Sequence, residues 1–190
     1  MKNIAIFASG NGTNAQRIVE YFSDNQNINV CLILSNKKDA FVLQRAKNLN
    51  IPSIYFNRSD FYETEKINNL LKQNSVDLIV LAGFLWLIPL KLIKEFSGKI
   101  INIHPALLPK FGGKGMYGDK VHKTVIETGE KESGISIHFV NEKYDEGKII
   151  FQKKIRIQSD DDHESLAKKI HQLEYKYFPQ VIEKILNESK

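Results

Sequence analysis

The sequence predicts an α/β fold, a Rossmann-like arrangement in which helices cover both faces of a mixed, mostly parallel sheet in three layers. Short apolar runs of strand length alternate with segments of helical periodicity through the first half of the chain, as in right-handed β-α-β crossovers. Farther along, two runs with alternating apolar residues follow each other closely, which predicts an antiparallel pair near the carboxyl terminus.

The predicted elements follow in order along the chain. Apolar runs predict strands at 3–8, 30–35, 53–56, 76–82 and 100–104. Helical spacing and capping signals predict helices at 13–22, 40–49, from a cap at Asp60 to residue 73, and at 89–96, where Pro89 occupies the first turn. The antiparallel pair is expected at 134–140 and 148–157. After a cap within residues 160–162, a last helix carries one apolar face: Leu166, Ile170, Leu173, Tyr177, Val181 and Ile185.

Composition indicates one globular unit. The chain has 190 residues, 42% of them hydrophobic and 26% charged, which predicts a single domain over 1–190. No apolar run reaches the ~18 residues of a membrane helix, and the amino terminus lacks the pattern of a signal peptide. The single cysteine, Cys31, offers neither a disulfide framework nor a cysteine metal site. We therefore expect a cytoplasmic protein that does not associate with membranes.

The net charge of +5 comes from lysines scattered along the chain. Scattered lysines predict a solvated surface without a nucleic-acid partner, although net positive charge also attracts small phosphate-bearing molecules. No metal is expected, because no cluster has the spacing of metal ligands and the remaining histidines are dispersed: His122, His138, His163 and His171.

A glycine turn follows the first predicted strand, at the edge of the sheet where ligands bind in such folds. Residues 9–15 read Ser-Gly-Asn-Gly-Thr-Asn-Ala, and free amides at a helix start form an anion site. The stretch satisfies the dinucleotide fingerprint, but residues 36–38 are Asn-Lys-Lys where an acidic residue should hold a ribose. The Walker pattern also fails, since no lysine follows the second glycine. A purely structural turn is the alternative.

Asn102 and His104 lie two residues apart at the end of a predicted strand, so their side chains point the same way. An amide donor beside an imidazole suits stabilisation of the oxygen charge in a carbonyl addition intermediate. Asp145 lies in the turn of the antiparallel pair, where turn chemistry is the ordinary explanation. If Asp145 faced His104, it could raise the pKa of the imidazole and accept a proton from a nucleophile.

Four motifs occur in one order: the glycine turn, Leu-Ala-Gly-Phe at 81–84, Asn-Ile-His-Pro at 102–105 with Leu-Leu-Pro, and Asp-x-Gly at 145–147. In this combination, over nearly the whole chain, the sequence resembles the folate-dependent formyltransferases that act on phosphoribosylglycinamide. The resemblance implies the formyltransferase fold and transfer of a formyl group from 10-formyltetrahydrofolate to the substrate amine, in purine biosynthesis. It also implies no metal, and a monomer or homodimer.

The resemblance implies roles for individual residues. Asn102 and His104 would stabilise the oxyanion, and Asp145 would keep His104 charged and help to remove the amine proton. The substrate phosphate and amine would be held by Gly10, Asn11, Gly12, Thr13, Asn14, His171 and Glu174. The folate pocket would comprise Leu81, Phe84, Leu85, Trp86, Leu87, Ile88, Asn102, Val140 and Asn141.

Three features depart from that family's pattern. Trp86 stands where many relatives have an arginine, and we expect it to stack on the folate in place of a charged contact. Lys148 replaces a common proline. The segment at residues 111–118 is longer than in some relatives. It contains four glycines, which predict either a closing flap or a flexible surface loop.

Related enzymes and binding modules offer alternative functions for these residues. Formyltransferases of amino sugars or of methionyl-tRNA, and formyltetrahydrofolate hydrolases, share the folate machinery, but the tRNA enzyme and the hydrolase usually have a further domain. The phosphate-type turn favours the ribonucleotide substrate. A nucleic-acid-binding module would leave Asn102, His104 and Asp145 unexplained, and a dehydrogenase would lack its acidic ribose ligand.

Overall fold

The computed structural model describes residues 1–188, so residues 189 and 190 of the predicted domain lie outside the described residues. Seven strands and seven helices occur within this part of the chain. The strands are β1 (Lys2–Phe7), β2 (Ile28–Ser35), β3 (Ser53–Tyr55), β4 (Val76–Leu81), β5 (Ile100–His104), β6 (Glu132–Phe139) and β7 (Ile149–Arg156). The helices are α1 (Thr13–Phe22), α2 (Phe41–Asn48), α3 (Arg58–Tyr62), α4 (Lys66–Gln73), α5 (Leu90–Glu95), α6 (Asp119–Glu127) and α7 (His163–Glu188).

The strands form one sheet in the order β3-β2-β1-β4-β5-β6-β7. Strands β1 to β5 are parallel to one another, whereas β6 is antiparallel to both β5 and β7. The predicted mixed sheet with an antiparallel pair is thus confirmed. From β1 the chain moves outward to β3 and then returns to β4 on the other side of β1. The strand order therefore reverses between β1 and β4, and such a reversal opens a crevice at the carboxyl ends of the strands.

Helices cover both faces of the sheet. Alternate residues of β1 point into two separate cores, with Ile4 and Ile6 in one and Ala5 and Phe7 in the other. The first core packs against α1, α2, α6 and α7, and the second against α3, α4 and α5. Both cores are built from fully buried aliphatic and aromatic side chains, which confirms the predicted three layers.

One helical prediction was wrong in part, and one helix was not predicted. The single helix expected from Asp60 to residue 73 is two helices, separated at residues 63–65. Asn57 and Asp60 form a capping box that begins α3 before Asp60. Helix α6 was not predicted, although Val121 and Val125 lie buried at helical spacing on it.

The last helix begins as predicted. The carboxylate of Asp162 accepts a hydrogen bond from the Ser165 N–H at 2.7 Å, which caps the first turn of α7. The predicted apolar face packs onto the first core. No helix within residues 1–188 is long and apolar enough to cross a membrane.

Candidate active site

A cleft of about 690 Å³ opens at the carboxyl ends of β1, β4 and β5. Its walls are the turn after β1, the loop after β4, the end of β5, residues 113–118, part of α7 and the turn between β6 and β7. Most of the predicted site residues line it: Gly10, Asn11, Gly12, Thr13, Asn14, Leu81, Phe84, Leu85, Trp86, Leu87, Ile88, Asn102, His104, Val140, Asp145, His171 and Glu174. Asn141 is not in the lining, because its side-chain oxygen turns back to accept the N–H of Lys143 at 3.0 Å.

The end of β5 presents Asn102 and His104 to the cleft. Leu81, the last residue of β4, pairs with Asn102, so β5 continues beyond its neighbour. Ile101 and Ile103 point into the first core, and the two polar side chains therefore point to the opposite face of the sheet. The sheet pattern thus places an amide and an imidazole side by side.

Asp145 meets both residues. Its Oδ2 lies 3.6 Å from His104 Nδ1, and its Oδ1 accepts a hydrogen bond from Asn102 Nδ2 at 3.4 Å. The carboxylate also accepts the N–H of Gly113 at 2.9 Å, from a different loop. Asp145 has a φ of 57°, in the left-handed region where aspartate is enriched among residues other than glycine. Its three contacts show that the carboxylate is aimed at groups outside its own turn, which the ordinary turn explanation does not require.

His138 is a fourth polar group of this cluster, and the sequence prediction missed it. It lies on β6 directly opposite Asn102, and its Nε2 lies 3.1 Å from Asn102 Nδ2 and 3.6 Å from Asp145 Oδ1. His138 Nδ1 lies 2.8 Å from the Phe139 carbonyl oxygen, which can only accept, so Nδ1 bears a proton. Its Nε2 thus lies between the Asn102 amide and the Asp145 carboxylate and joins β6 to the cluster.

Burial and charge act in opposite directions on the two central titratable groups. Burial lowers the pKa of His104 below its usual value, and this effect outweighs Asp145, which raises it. Burial acts to raise the pKa of Asp145, but the contacts with His138, His104 and the Gly113 N–H together hold it below its usual value. At His104 the balance thus favours the uncharged ring and at Asp145 the charged carboxylate, and the expectation that Asp145 keeps His104 charged stays a prediction.

The proton of neutral His104 can also be placed. Its Nε2 lies 2.7 Å from the Phe111 carbonyl oxygen and must donate to it. Nδ1 is then the unprotonated nitrogen, and it faces Asp145. The cleft thus contains a carboxylate and a basic ring nitrogen that can share one proton.

The glycine turn occupies the other end of the cleft. Gly12 precedes α1 with a φ of 76°, no side chain caps the helix and its first turn has no acidic residue. Asn14 Nδ2 donates to Glu174 Oε2 at 2.9 Å, which ties the turn to α7. The N–H groups of a helix start therefore face a cleft that contains no competing carboxylate from α1.

Glu174 is buried, with 5% of its surface exposed. Burial raises the pKa of its carboxyl to about 7, although the hydrogen bond from Asn14 acts in the opposite direction. A carboxyl of this kind accepts or releases a proton near neutral pH. It can therefore bind either a hydroxyl group or a cation.

His122 is a second cleft residue that the sequence prediction did not assign. It lies on α6, its ring centroid is 6.4 Å from that of His171, and the two rings are nearly perpendicular. Burial, with a smaller effect of His171, lowers the pKa of His122 to about 4. Among the described residues its Nδ1 has no hydrogen-bond partner, and neither has the buried Oδ1 of Asn14. Both atoms belong to residues that line the cleft.

The loop after β4 forms an apolar wall whose backbone is fixed from two sides. Ser9 Oγ accepts the Leu85 N–H at 3.0 Å, and the Tyr62 hydroxyl donates to the Leu87 carbonyl at 2.8 Å. Phe84 packs into the second core. The remaining backbone groups of the loop are therefore presented in a fixed orientation.

Trp86 belongs to an aromatic cluster at the mouth of the cleft. Its ring centroid lies 6.0 Å from each of the rings of Phe56, Phe61 and Tyr62. The guanidinium of Arg58, from α3, lies 5.6 Å from the Trp86 ring and 5.0 Å from the Tyr62 ring. A positive charge is thus present beside Trp86, but it comes from a different element.

The glycine-rich segment is tied at its start. The Phe111 carbonyl contacts His104, and the Gly113 N–H contacts Asp145. Residues 113–118 form one wall of the cleft. The closing flap and the flexible loop both remain predictions. Within residues 1–188, no group of three or more His, Cys, Asp or Glu residues has the arrangement of a metal site.

Comparison with known proteins identifies the family of the chain. Residues 2–182 match the formyl transferase family. The chain is 43% identical to the chloroplastic phosphoribosylglycinamide formyltransferase of Arabidopsis thaliana, covering 98% of this chain and 66% of that protein. It is 40% identical to the phosphoribosylglycinamide formyltransferase of Haemophilus influenzae, covering 96% of this chain and 86% of that protein. The chain thus spans slightly less than two thirds of the plant relative and most of the bacterial one.

A solved structure gives the same result for the fold. The crystal structure of glycinamide ribonucleotide transformylase 1 from Geobacillus kaustophilus superimposes with a TM-score of 0.88 at 35% identity, covering 98% of this chain and 99% of that one.

Proposed function

The chain belongs to the formyl transferase family, and we propose that it transfers the formyl group of 10-formyltetrahydrofolate to the amine of 5-phosphoribosylglycinamide, a reaction of purine biosynthesis. One observation supports this most strongly. A single cleft has the Asn102, His104 and Asp145 cluster at one end and an amide-lined turn at the other. Formyl transfer needs the first feature, and a phosphorylated acceptor needs the second.

The reaction forms a bond from the substrate nitrogen to the formyl carbon and breaks the bond from that carbon to N10 of the folate. The amine loses one proton and N10 gains one. The Asn102 amide lies where it can donate to the negatively charged oxygen of the addition intermediate, and His104 Nδ1 can donate to that oxygen once it has taken up the proton that the amine loses. The products are formylglycinamide ribonucleotide and tetrahydrofolate.

Asp145 and His104 together transfer the proton that the amine loses and the folate nitrogen gains. The charged carboxylate can accept the proton of the attacking amine, directly or through water. His104 Nδ1, 3.6 Å away, can then share that proton and return it toward the folate nitrogen.

The phosphate end binds the acceptor. The N–H groups of residues 10–14 face the phosphate, with His171 beside them, and Glu174 is available to the ribose or the amine. His122 Nδ1 and Asn14 Oδ1, which have no partner among the described residues, are further candidate contacts for these groups.

The apolar loop fits a folate. Leu81, the residues from Phe84 to Ile88, and Val140 surround the space for a flat pterin ring, and the fixed loop backbone can bind its polar edge. The folate also bears glutamate carboxylates, and Arg58 beside Trp86 supplies the positive charge for them. We propose that Asn141 contacts the folate only through the backbone of its turn.

Three further properties complete the proposal. The protein acts in the cytoplasm, as a monomer or homodimer, and does not use a nucleic-acid partner. The scattered lysines, several of them paired with surface carboxylates such as Lys72 with Glu95, support the last point. A single domain over 1–190 is supported by one sheet with both faces covered.

A spectrophotometric assay with 10-formyltetrahydrofolate tests the proposal. Folate conversion that requires phosphoribosylglycinamide is the expected result. Conversion without an acceptor would instead indicate a hydrolase, and conversion only with an amino sugar would indicate a different acceptor. Either result would overturn the proposed function.

A further inference from the structure

We propose that Arg45, on α2, is a positioning residue for the phosphate-binding turn, holding its carbonyl groups away from the cleft so that its N–H groups face the ligand. The proposal rests on the proposed function, which assigns the turn to the phosphate of the acceptor. Arg45 does not line the cleft, so it acts through the turn.

The guanidinium of Arg45 is held by three neutral acceptors. Its Nε donates to the Asn11 carbonyl at 2.8 Å and its Nη2 to the Asn11 side-chain oxygen at 2.8 Å. Its Nη1 donates to the side-chain oxygen of Gln16. The Phe41 ring lies 4.9 Å from the guanidinium carbon. The planar fork of the arginine thus fixes both oxygens of Asn11 at once, which a lysine cannot do.

Two more contacts from α2 hold the residues on either side of Asn11. The Val42 N–H donates to the Gly10 carbonyl at 3.1 Å. A Cβ atom at Gly12 would lie 2.3 Å from Val42 Cγ2, so this turn and α2 pack as closely as a glycine permits. Val42 and Arg45 are three residues apart and share one face of the helix. The same face of α2 therefore holds three consecutive residues of the turn.

Every carbonyl group of this part of the turn has a partner. Gly10 bonds to Val42, Asn11 to Arg45, and the Gly12 carbonyl accepts the Gln16 N–H at 2.9 Å. By contrast, the N–H groups of residues 10–14 donate to no acceptor within residues 1–188. Such a turn has its acceptors occupied and its donors free, which is the arrangement that binds an anion.

Arg45 also contributes a charge that no contact cancels. Within the described part of the chain, it forms no ion pair with a carboxylate. Its positive charge thus remains available behind the turn. Without Arg45, both oxygens of Asn11 would lose their donors, and either could rotate toward the phosphate and repel it.

The test compares Arg45→Gln and Arg45→Lys with the wild-type enzyme in steady-state formyl transfer. Ribose 5-phosphate serves as a competitive inhibitor that occupies the phosphate end alone. We expect both variants to raise the KM for phosphoribosylglycinamide and the inhibition constant for ribose 5-phosphate by about 10-fold, with kcat and the KM for the folate within about twofold. Lys47→Gln is the matched control, because it removes one charge from the exposed side of the same helix.

Three results would overturn the proposal. If Arg45→Lys behaved like the wild type, charge alone would suffice and positioning would be wrong. If the constants for the folate and the ribonucleotide rose equally, Arg45 would have only a general structural role. If Arg45→Gln matched the Lys47→Gln control, Arg45 would have no role at this site. Wild-type enzyme without acceptor-dependent transfer would instead overturn the proposed function itself, and Arg45→Lys keeps the test valid if Arg45→Gln fails to fold.

Discussion

The two ends of the cleft are built in different ways. The proposed phosphate end is a short continuous stretch, residues 10–14, whose free backbone N–H groups face the cleft and whose shape is held by α2. The transfer end is assembled from side chains of β5, β6 and the turn after β6, together with a backbone N–H from residue 113. Local backbone geometry decides the first end, and strand register decides the second.

This difference predicts how each end responds to substitution. The transfer end depends on individual functional groups, so the replacement of one atom there should affect turnover. The phosphate end depends on backbone conformation, so its sensitivity should lie in glycines and in the residues that hold the turn. The predictions that follow test this contrast, from the largest expected effect to the smallest.

The largest effect is expected for Asp145→Asn. The amide keeps the shape of the carboxylate but can neither accept the amine proton nor balance a charged His104. Turnover should fall by ~10²-fold or more, while the KM values for both substrates change little. Steady-state kinetics with each substrate varied in turn measures this.

Glu146→Gln is the control, because it changes a neighbouring carboxylate of the same turn that is paired with Lys143 at the surface. It should leave turnover unchanged. An Asp145→Asn turnover within twofold of the wild type would show that Asp145 does not handle the proton.

Glu174 should make stability depend on pH. Its folded pKa of about 7 lies above the ordinary value of 4.5, so the unfolded chain releases this proton at lower pH than the folded one. The protonated Glu174 carboxyl therefore adds roughly 3 kcal/mol to the free energy of unfolding below about pH 4.5. This contribution is lost as the pH rises through about 7. Relative to the wild type, Glu174→Gln should show a flatter profile of unfolding free energy between these values. Glu183→Gln, on the same helix, is the control, and parallel profiles for wild type and Glu174→Gln would contradict the buried carboxyl.

Gly12→Ala should destabilise the protein by about 2 kcal/mol. The residue has a φ of 76°, and the added methyl group would strike Val42, not the bound anion. Gly10→Ala is the matched control, because a Cβ there meets nothing within 4 Å. Denaturant unfolding of the two variants measures the difference. Equal stability would mean that α2 does not determine the shape of the turn.

The smallest effect is expected at the mouth of the cleft. Arg58→Gln should raise the KM for the folate by about threefold, because its charge is exposed and screened by water. The KM for the ribonucleotide should not change. Arg17→Gln, which removes an arginine from α1 paired with Glu20, is the control. An unchanged KM for the folate would show that Arg58 is not part of the folate site.

The fold was predictable because its signals are local. Buried parallel strands such as β1 and β4 are continuous apolar runs, whereas apolar and polar residues alternate in the sequences of β6 and β7. The local residue pattern therefore predicts the type of strand pairing. Helix α6 was missed, because its apolar residues are few and it follows a glycine-rich segment. The early start of α3 depends on the reciprocal bonds of Asn57 and Asp60, and its separation from α4 falls at residues 63–65, and periodicity reveals neither.

The candidate site was predictable only in part, for a related reason. The glycine turn, Asn102 and His104 lie in short motifs, whereas the sequence made Asp145 a candidate only on the condition that its turn faced His104. His138 could have been found only from the register that places it opposite Asn102. The lowered pKa of His104 follows from burial, which a sequence does not give.

One measurement tests the central claim that the two ends act on one acceptor molecule. Formyl transfer is measured with phosphoribosylglycinamide and with the same compound lacking its phosphate. The account predicts that kcat/KM falls by about 10²-fold or more without the phosphate, since the charged hydrogen bonds of the turn are lost. Equal kcat/KM values for the two acceptors would contradict it, because the glycine turn would then have no part in the reaction.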